Sequence, residues 1–135
     1  MKESNKTRID LWHKEVNRLI DIFDFMLSEL NMTLIKCSME RISFSNGELH
    51  IHFGYVYDRY QKENNTDMPM AMILFGNDKI EKNLIDIFKE KVANVDFFEL
   101  MGSLNKETND QSITYSIIIQ NHIFPFLRNN NFLSV

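Results

Sequence analysis

His50 and His52 are the residues of this sequence whose type and spacing most resemble the start of a metal site. They stand one residue apart in "ELHIHF", and alternate residues of a β-strand point to the same face of a sheet. Two imidazoles on one face can bind Zn²⁺, and a single imidazole can act as a general base. A zinc site needs at least a third nitrogen, sulfur or carboxylate ligand around the same point, so the neighbouring strands decide whether these histidines bind a metal.

The hairpin that contains the histidines is predicted from Asn46-Gly47. This dipeptide stands between two alternating runs and is typical of a two-residue type I′ turn. The turn pairs Ser43 with His50 and Arg41 with His52. It gives the two strands a shared apolar face, which carries Ile42, Phe44, Leu49, Ile51 and Phe53. The histidines then lie on the opposite face with Ser43 and Arg41.

The predicted surroundings of His52 argue against a metal site. Arg41 is a cation, which repels a metal ion and disfavours protonation of the imidazole. The expected next strand, "PMAMILF", offers no ligand. We therefore expect His50 and His52 to lie on a solvated strand face with no metal bound. Rings enclosed around an ion, or a turn displaced by one residue, would contradict this expectation.

The other residues that could take part in catalysis are not surrounded by a known catalytic motif. Cys37 lies in an apolar, β-branched neighbourhood and is predicted to be a small buried residue, because no cysteine-protease or redox motif surrounds it. His13 and His122 are predicted to be packing or capping residues. The four glycines are isolated, so no phosphate-binding loop is formed. We assign no catalytic, cofactor-binding or metal-binding residue, and an enzyme whose site is assembled from dispersed residues stays as an alternative.

Length, charge and hydropathy limit the possible functions. A chain of 135 residues is predicted to form one domain, residues 1–135. Its 15 basic and 19 acidic residues give a net charge of −4 without a cationic cluster, which disfavours nucleic-acid binding. No apolar run approaches the ~20 residues that cross a bilayer, and the polar start lacks a secretory signal. A single cysteine fits a reducing compartment, so we expect a cytoplasmic protein.

The elements that position these residues begin with an amphipathic helix at residues 8–30, capped at Thr7 and ended at Asn31. "MTLIKCSM" and "ERISFS" are predicted to be two short strands or one strand with an irregularity near Met39. "ELHIHFGYVY" and "PMAMILF" follow as strands.

The second half is predicted to be helical. Asp78 and Glu81 have the spacing of a capping box at the start of a helix. "VDFFELMGSL" is predicted to form a further short helix, and "NKETND" a loop. "QSITYSIIIQNHIF" fits a helix or a strand, and its position favours a helix with Pro125 near the end. The expected fold is α+β: an antiparallel β-meander of about four strands, with a long N-terminal helix and C-terminal helices packed on it.

Two stretches are candidates for partner binding. In "YVYDRYQKENNTD" the side chains predicted to contact a partner are Asp58, Arg59, Tyr60, Glu63 and Asp67. His50 and His52, which precede this stretch, belong to the same predicted set. Tyr and Arg are enriched in interface hot spots, although the stretch also reads as an ordinary exposed loop. In "MPMAMILF", Met68, Met70, Met72 and Leu74 are predicted to share one face of a strand that is apolar on both sides. Helices, a partner or a second copy would cover such a strand.

The order of elements resembles that of the small α+β immunity proteins of bacterial toxin systems. The corresponding segments are residues 8–30, "RISFSNGELHIHFGYVYDRYQ", "PMAMILF" and "IIIQNHIFPFLRN". The resemblance implies a single-domain cytosolic protein that neutralises a cognate toxin by direct binding, without a cofactor. The acidic net charge is compatible with a basic toxin domain as the partner. An oligomeric structural or adaptor subunit is the alternative.

Overall fold

The structure, a computed structural model, describes residues 13–38, 41–55 and 70–127 of the chain. Residues 13–22 are helical and form α1. The next elements are α2 (Asp24–Glu29), β1 (Thr33–Cys37), β2 (Arg41–Ser45), β3 (His50–Tyr55), β4 (Met70–Gly76) and β5 (Glu81–Asn83). The last are α3 (Leu84–Lys91), α4 (Phe97–Thr108), α5 (Gln111–Ile118), a π-helical turn (Ile119–Ile123) and α6 (Phe124–Leu127).

The strands form one antiparallel sheet with the order β1-β2-β3-β4-β5. Each strand therefore pairs with its neighbour in sequence, which is the definition of a meander. The predicted α+β class and antiparallel meander are confirmed. Within the described residues the sheet has five strands, where about four were expected. Residues 33–37 and 41–45 form two antiparallel strands, and a single continuous strand is excluded.

One face of the sheet carries the core. Ile51, Phe53, Ile73 and Phe75 are completely buried there, as is Ile42. The core also includes α1, α2, α3, α5 and the π-helical turn, whose most deeply buried residues are Leu19, Phe23, Met26, Leu84, Ile87, Phe88, Ile118, Ile119 and Ile123. Aromatic rings join the helical layer to the sheet, because the Phe23 and Phe53 centroids lie 4.9 Å apart.

The N-terminal helix differs from the single long helix that was predicted. The described part is interrupted at Phe23, which forms a turn between α1 and α2. The apolar stripe itself is confirmed at Val16, Leu19, Phe23 and Met26, which are all buried. Asn31 has a φ of 55° and ends the helical segment as expected, since Asn tolerates the left-handed conformation better than most residues. Thr7 lies outside the described residues.

After β4 the chain forms a turn and the strand β5 before the next helix begins. The predicted capping box at Asp78 and Glu81 is therefore wrong. The Asn77 side chain accepts hydrogen bonds from the backbone N–H groups of Lys79 and Ile80, so residues 77–80 form a turn. Glu81 lies in β5, opposite Gly76. The helix begins at Leu84, and Asn83 caps it by accepting from the Ile85 N–H.

Residues 97–127 are mainly helical, which resolves the ambiguity of residues 111–124. Asp96 caps α4, which extends to Thr108 through most of the stretch expected to be a loop. Asp110 caps α5 by accepting from the N–H groups of Ser112 and Ile113. The helix then widens into the π-helical turn before α6. Pro125 lies in the first turn of α6, where its missing N–H costs little.

Candidate functional site: the open face of the sheet

The hairpin turn lies one residue further along the chain than predicted. The observed register pairs Ser45 with His50 and Ser43 with His52, and the Asn46 N–H donates to the Leu49 carbonyl at 3.2 Å. The central residues of the turn are therefore Gly47 and Glu48. Gly47 has a φ of 95° and Glu48 does not have a positive φ, which excludes type I′ and fits the type II′ turn, with its glycine at the first central position.

The displaced turn leaves both histidines on the predicted face. Moving the centre of a hairpin by one residue changes each cross-strand pairing by two residues, and the side-chain period of a strand is two. The expectation that such a displacement would overturn the face assignment is therefore wrong. The neighbours do change: Ser43 is opposite His52, and Arg41 is opposite Gly54.

We call the face of the sheet opposite the core the open face. Following the pairing from β1 to β5, its residues are Thr33, Lys36, Arg41, Ser43, Ser45, His50, His52, Gly54, Met72, Leu74, Gly76, Glu81 and Asn83. Lys36, Met72 and Glu81 are exposed, but Ser43 is only 1% exposed. The side chains of His50 and His52 are 27% and 16% exposed. The predicted solvated face is thus wrong for its central rows, where the histidines cover the serines.

An irregularity in β4 changes which of its methionines share a face. Gly54 pairs with Met72, but the next residue, Tyr55, pairs with Met70. The extra residue of this bulge, Ala71, reverses the alternation. Met70 is therefore buried on the core side, while Met72 is 39% exposed on the open face. The predicted common face for Met70, Met72 and Leu74 is wrong, and Met68 lies outside the described residues.

The two imidazoles are stacked, with ring centroids 6.2 Å apart and planes inclined by 9°. Each ring faces a carboxylate from the end of β4 and the start of β5. His50 Nε2 lies 3.7 Å from Asp78 Oδ1, and His52 Nε2 lies 3.8 Å from Glu81 Oε2. Nδ1 of His52 is 2.7 Å from the Ser43 hydroxyl oxygen, so His52 is held on both sides of its ring.

The pKa of His52 is lowered from its ordinary value. Desolvation is the main cause, and the charge of Arg41 adds to it, followed by smaller effects of His50 and Lys36. Glu81 acts in the opposite direction but does not outweigh them. The predicted effect of Arg41 on this imidazole is therefore confirmed, although Arg41 is opposite Gly54 rather than His52. A lowered pKa favours the neutral form of His52, in which Nδ1 can accept a hydrogen bond from the Ser43 hydroxyl or donate one to it.

Ser43, His52 and Glu81 are arranged in the order of a hydrolase triad. A catalytic serine must reach the carbonyl carbon of a substrate, whereas Ser43 is 1% exposed beneath the imidazole. The 3.8 Å between His52 and Glu81 also exceeds a hydrogen bond. This geometry supports a structural role for Ser43 and His52.

Across the described ranges, no group of three or more His, Cys, Asp or Glu side chains is placed to hold a metal ion.

A groove of about 360 Å³ lies at the end of the open face away from the hairpin turn, between Lys36, Arg41, Met72 and Leu74. Its floor depends on Gly54, which lies between Arg41 and Met72 in one cross-strand row. A Cβ atom at this position would lie 2.8 Å from Met72 Cγ, closer than van der Waals contact allows. The missing side chain therefore creates space between a cation and an apolar side chain.

The structure brings His50 and His52 together but leaves the rest of the predicted partner-binding set untested. Asp58, Arg59, Tyr60, Glu63 and Asp67 lie outside the described residues. Tyr55, at the end of β3, is buried on the core side, and burial raises the pKa of its hydroxyl.

The remaining candidates for chemistry have separate surroundings. Cys37 is exposed at the end of β1, so the prediction that it is buried is wrong, because β1 is an edge strand. Neighbouring atoms still desolvate its thiol enough to raise the pKa, which makes it less reactive. His13 is exposed on α1. His122 packs edge-on against Phe88, with centroids 5.6 Å apart.

Sequence reasoning missed three residues of the open face. Lys36 received no role because the register of β1 was not predicted. Glu81 was assigned to a helix, although Gly76-Asn77-Asp78 after an apolar strand is also a hairpin signal. Ser43 was placed on the correct face but without its hydrogen bond to His52.

Comparison with protein-family models, with curated proteins and with solved structures finds no match. In the described part of the chain, every helix is too short or too polar to span a bilayer.

Proposed function

We propose that the protein is a non-catalytic binding domain whose open face contacts a partner protein. The observation that carries this proposal is the exposure of apolar and charged side chains on that face, while its centre is fixed by hydrogen bonding and stacking. Met72 is 39% exposed and Lys36 is exposed, beside the ordered pair of His50 and His52. A surface that exposes apolar and charged side chains around ordered polar groups is suited to contacts with a partner.

We further infer that the partner is a bacterial toxin and that the protein is its cytosolic immunity protein. This inference is supported by the order of elements, with a helical segment, an antiparallel sheet and C-terminal helices. Acidic side chains at one end of the open face, Asp78 and Glu81, suit the expected basic toxin domain. Neutralisation by binding needs no cofactor, so none is proposed.

Capture of the partner from the native host tests the proposal. Tagged wild-type protein is compared with an open-face variant, Arg41→Glu with Met72→Glu, and with a control variant, Lys106→Glu with Phe98→Glu. Both variants change the net charge equally, and the control alters the exposed side of α4. We expect wild type and control to capture a protein that the open-face variant loses.

The captured protein is then expressed alone in a test bacterium. We expect growth arrest, with growth restored by the wild-type protein and not by the open-face variant. A captured protein without toxicity would contradict the immunity function. Equal capture by both variants would show that another surface binds the partner.

The alternative function, an oligomeric or adaptor subunit, is favoured by a different observation. β1 is an edge strand on which Leu34 and Ile35 are 46% and 54% exposed. Such an edge can pair with another strand. Light scattering over a range of concentrations distinguishes the two functions, because self-association through β1 requires a mass that rises with concentration, whereas the immunity function requires no second copy.

A further inference from the structure

We propose that the groove between Arg41 and Met72 receives an acidic side chain flanked by apolar side chains from the partner protein, an inference that rests on the proposed partner-binding role of the open face. The occupant is a short segment of the partner in which Asp or Glu lies next to Leu, Ile or a similar residue. The site thereby adds a contact of specific chemistry to a partner expected to be basic overall.

The first argument is the charge of the groove. Lys36 and Arg41 both line it, and neither forms an ion pair with any other residue in the described ranges. Two other basic residues do so: Arg18 pairs with Glu15 and Asp110, and Lys82 pairs with Glu90. In a chain of net charge −4, two neighbouring cations without an acidic partner among the described residues favour an anionic ligand, and a guanidinium can bind a carboxylate with two hydrogen bonds.

The second argument is the apolar side of the groove. Met72 and Leu74 lie next to Gly54, and Met72 is 39% exposed. An inorganic anion would leave these side chains in water, whereas a carboxylate that carries apolar neighbours would cover them. Methionine also adapts its shape to such neighbours because its side chain is unbranched and flexible.

The third argument is the shape. A groove of about 360 Å³ is near the lower end of small-ligand sites, but it is shallow and opens along the sheet surface. A segment of a protein chain can lie across such a surface and insert single side chains, which is how interface hot spots are usually built. The charges of Lys36 and Arg41 therefore complement an acidic side chain presented from a neighbouring surface.

The test uses three capped tripeptides titrated into the ¹⁵N-labelled full chain, followed by the backbone amide signals of Lys36, Arg41, Gly54 and Met72. The peptides share terminal Leu residues and differ only in the central residue, which is Glu, Gln or Lys. We expect the Glu peptide to bind about tenfold more tightly than the Gln peptide, the usual effect of a charge-assisted hydrogen bond. The Lys peptide is expected to bind most weakly.

Three variants provide the controls. Arg41→Gln is expected to reduce the preference for Glu over Gln to about twofold or less, while Lys106→Gln, an exposed lysine on α4, leaves it unchanged. Gly54→Ala keeps both cations but adds a methyl group to the floor of the groove against Met72, so binding of all three peptides is expected to weaken. The dispersion of the amide spectrum reports whether each variant is folded.

The proposal is overturned by equal affinity for the Glu and Gln peptides, by shifts that map outside the groove, or by dissociation constants above roughly 10 mM for all three peptides. The test needs no partner protein, so its outcome is independent of the capture experiment. Glu-selective binding without any captured partner would reject the proposed function and retain the groove as an anion site. A partner captured through the open face without selectivity for the Glu peptide would support the proposed function and reject the groove as a site for an acidic side chain.

Discussion

At the scale of single residues, His52 is the best-defined side chain of the open face. Its ring contacts Ser43 on one side, lies near Glu81 on the other and stacks on His50. The alternation of apolar and polar residues along the strand was enough to predict the face on which His52 lies, because this alternation does not depend on the position of the turn. Its partners were not predictable, because Ser43 and Glu81 approach it through a register set by the exact turn.

The lowered pKa of His52 predicts a pH dependence of stability. Because its pKa lies below the unfolded value of 6.5, the unfolded chain takes up a proton that the folded protein does not. The free energy of unfolding should therefore be fully retained above pH 6.5 and fall as the pH decreases through and below this value. Urea denaturation between pH 7.5 and 5 measures this slope, and His52→Gln should flatten it.

The control for this prediction is His13→Gln, which changes an exposed imidazole on α1. It should retain the slope of the wild type. An unchanged slope in His52→Gln would show that another group causes the pH dependence.

Burial of Ser43 predicts that it is not a nucleophile. With 1% exposure beneath the imidazole, it should not react with a fluorophosphonate serine probe, as measured by mass spectrometry of the intact protein. Ser43→Ala should cost about 1 kcal/mol of unfolding free energy through the lost hydrogen bond. Stoichiometric labelling that Ser43→Ala abolishes would instead support the enzyme alternative.

At the scale of elements, local signals were reliable where the chain determines its own conformation. Asn31 ended the first helical segment as predicted. Asp96 and Asp110 begin α4 and α5 with their carboxylates on backbone N–H groups, although neither cap was predicted. The start of the second helix was wrong for a different reason. Glu81 to Asn83 pair with β4, and this long-range pairing outweighs a local capping pattern formed by Asp78 and Glu81.

Asp110 has two roles that substitutions can separate. Its carboxylate caps α5 and also pairs with Arg18 of α1. Asp110→Ala removes both and should cost about 1–2 kcal/mol of unfolding free energy. Asp110→Asn keeps a capping oxygen and loses only a partly exposed ion pair, so it should cost less than about 1 kcal/mol. Urea denaturation measures both values.

Arg18→Gln is the variant for comparison, since it removes the same ion pair, together with the pair between Arg18 and Glu15, and leaves the cap. It should resemble Asp110→Asn. If Asp110→Asn were as destabilising as Asp110→Ala, the charge and not the cap would be the stabilising feature.

At the scale of the whole molecule, sheet and helices share one core. Phe53 of β3 is completely buried and lies 4.9 Å from Phe23 and 5.8 Å from Phe44, measured between ring centroids. The fold class was predictable from the alternating and helical periodicities that create these apolar faces. The bulges at Ile35 and Ala71 were not, because nothing in a local pattern marks an extra residue that only pairing reveals.

The shared core predicts that sheet and helices unfold together. Phe53→Ala should cost about 3–5 kcal/mol, a large part of the roughly 5–15 kcal/mol that stabilises a domain. Far-UV circular dichroism and strand amide signals should then lose their native values at the same urea concentration. Phe98→Ala, which truncates a side chain that is 62% exposed, should change stability by about 0.5 kcal/mol or less. Helical signal that outlasts the strand signals would contradict a single core.

Lys36 lies in the edge strand β1, directly after the bulge at Ile35. A kinked backbone and a lysine at the edge of a sheet both hinder the addition of further chains and the growth of fibrils. Without them, the exposed apolar side chains of Leu34 and Ile35 would favour pairing with strands of other chains. The same ammonium group lines the groove. Exchange of this lysine for a neutral residue would thus remove a safeguard against aggregation as well as a cation of the groove, whereas Arg41 lies in the inner strand β2 and does not protect the edge.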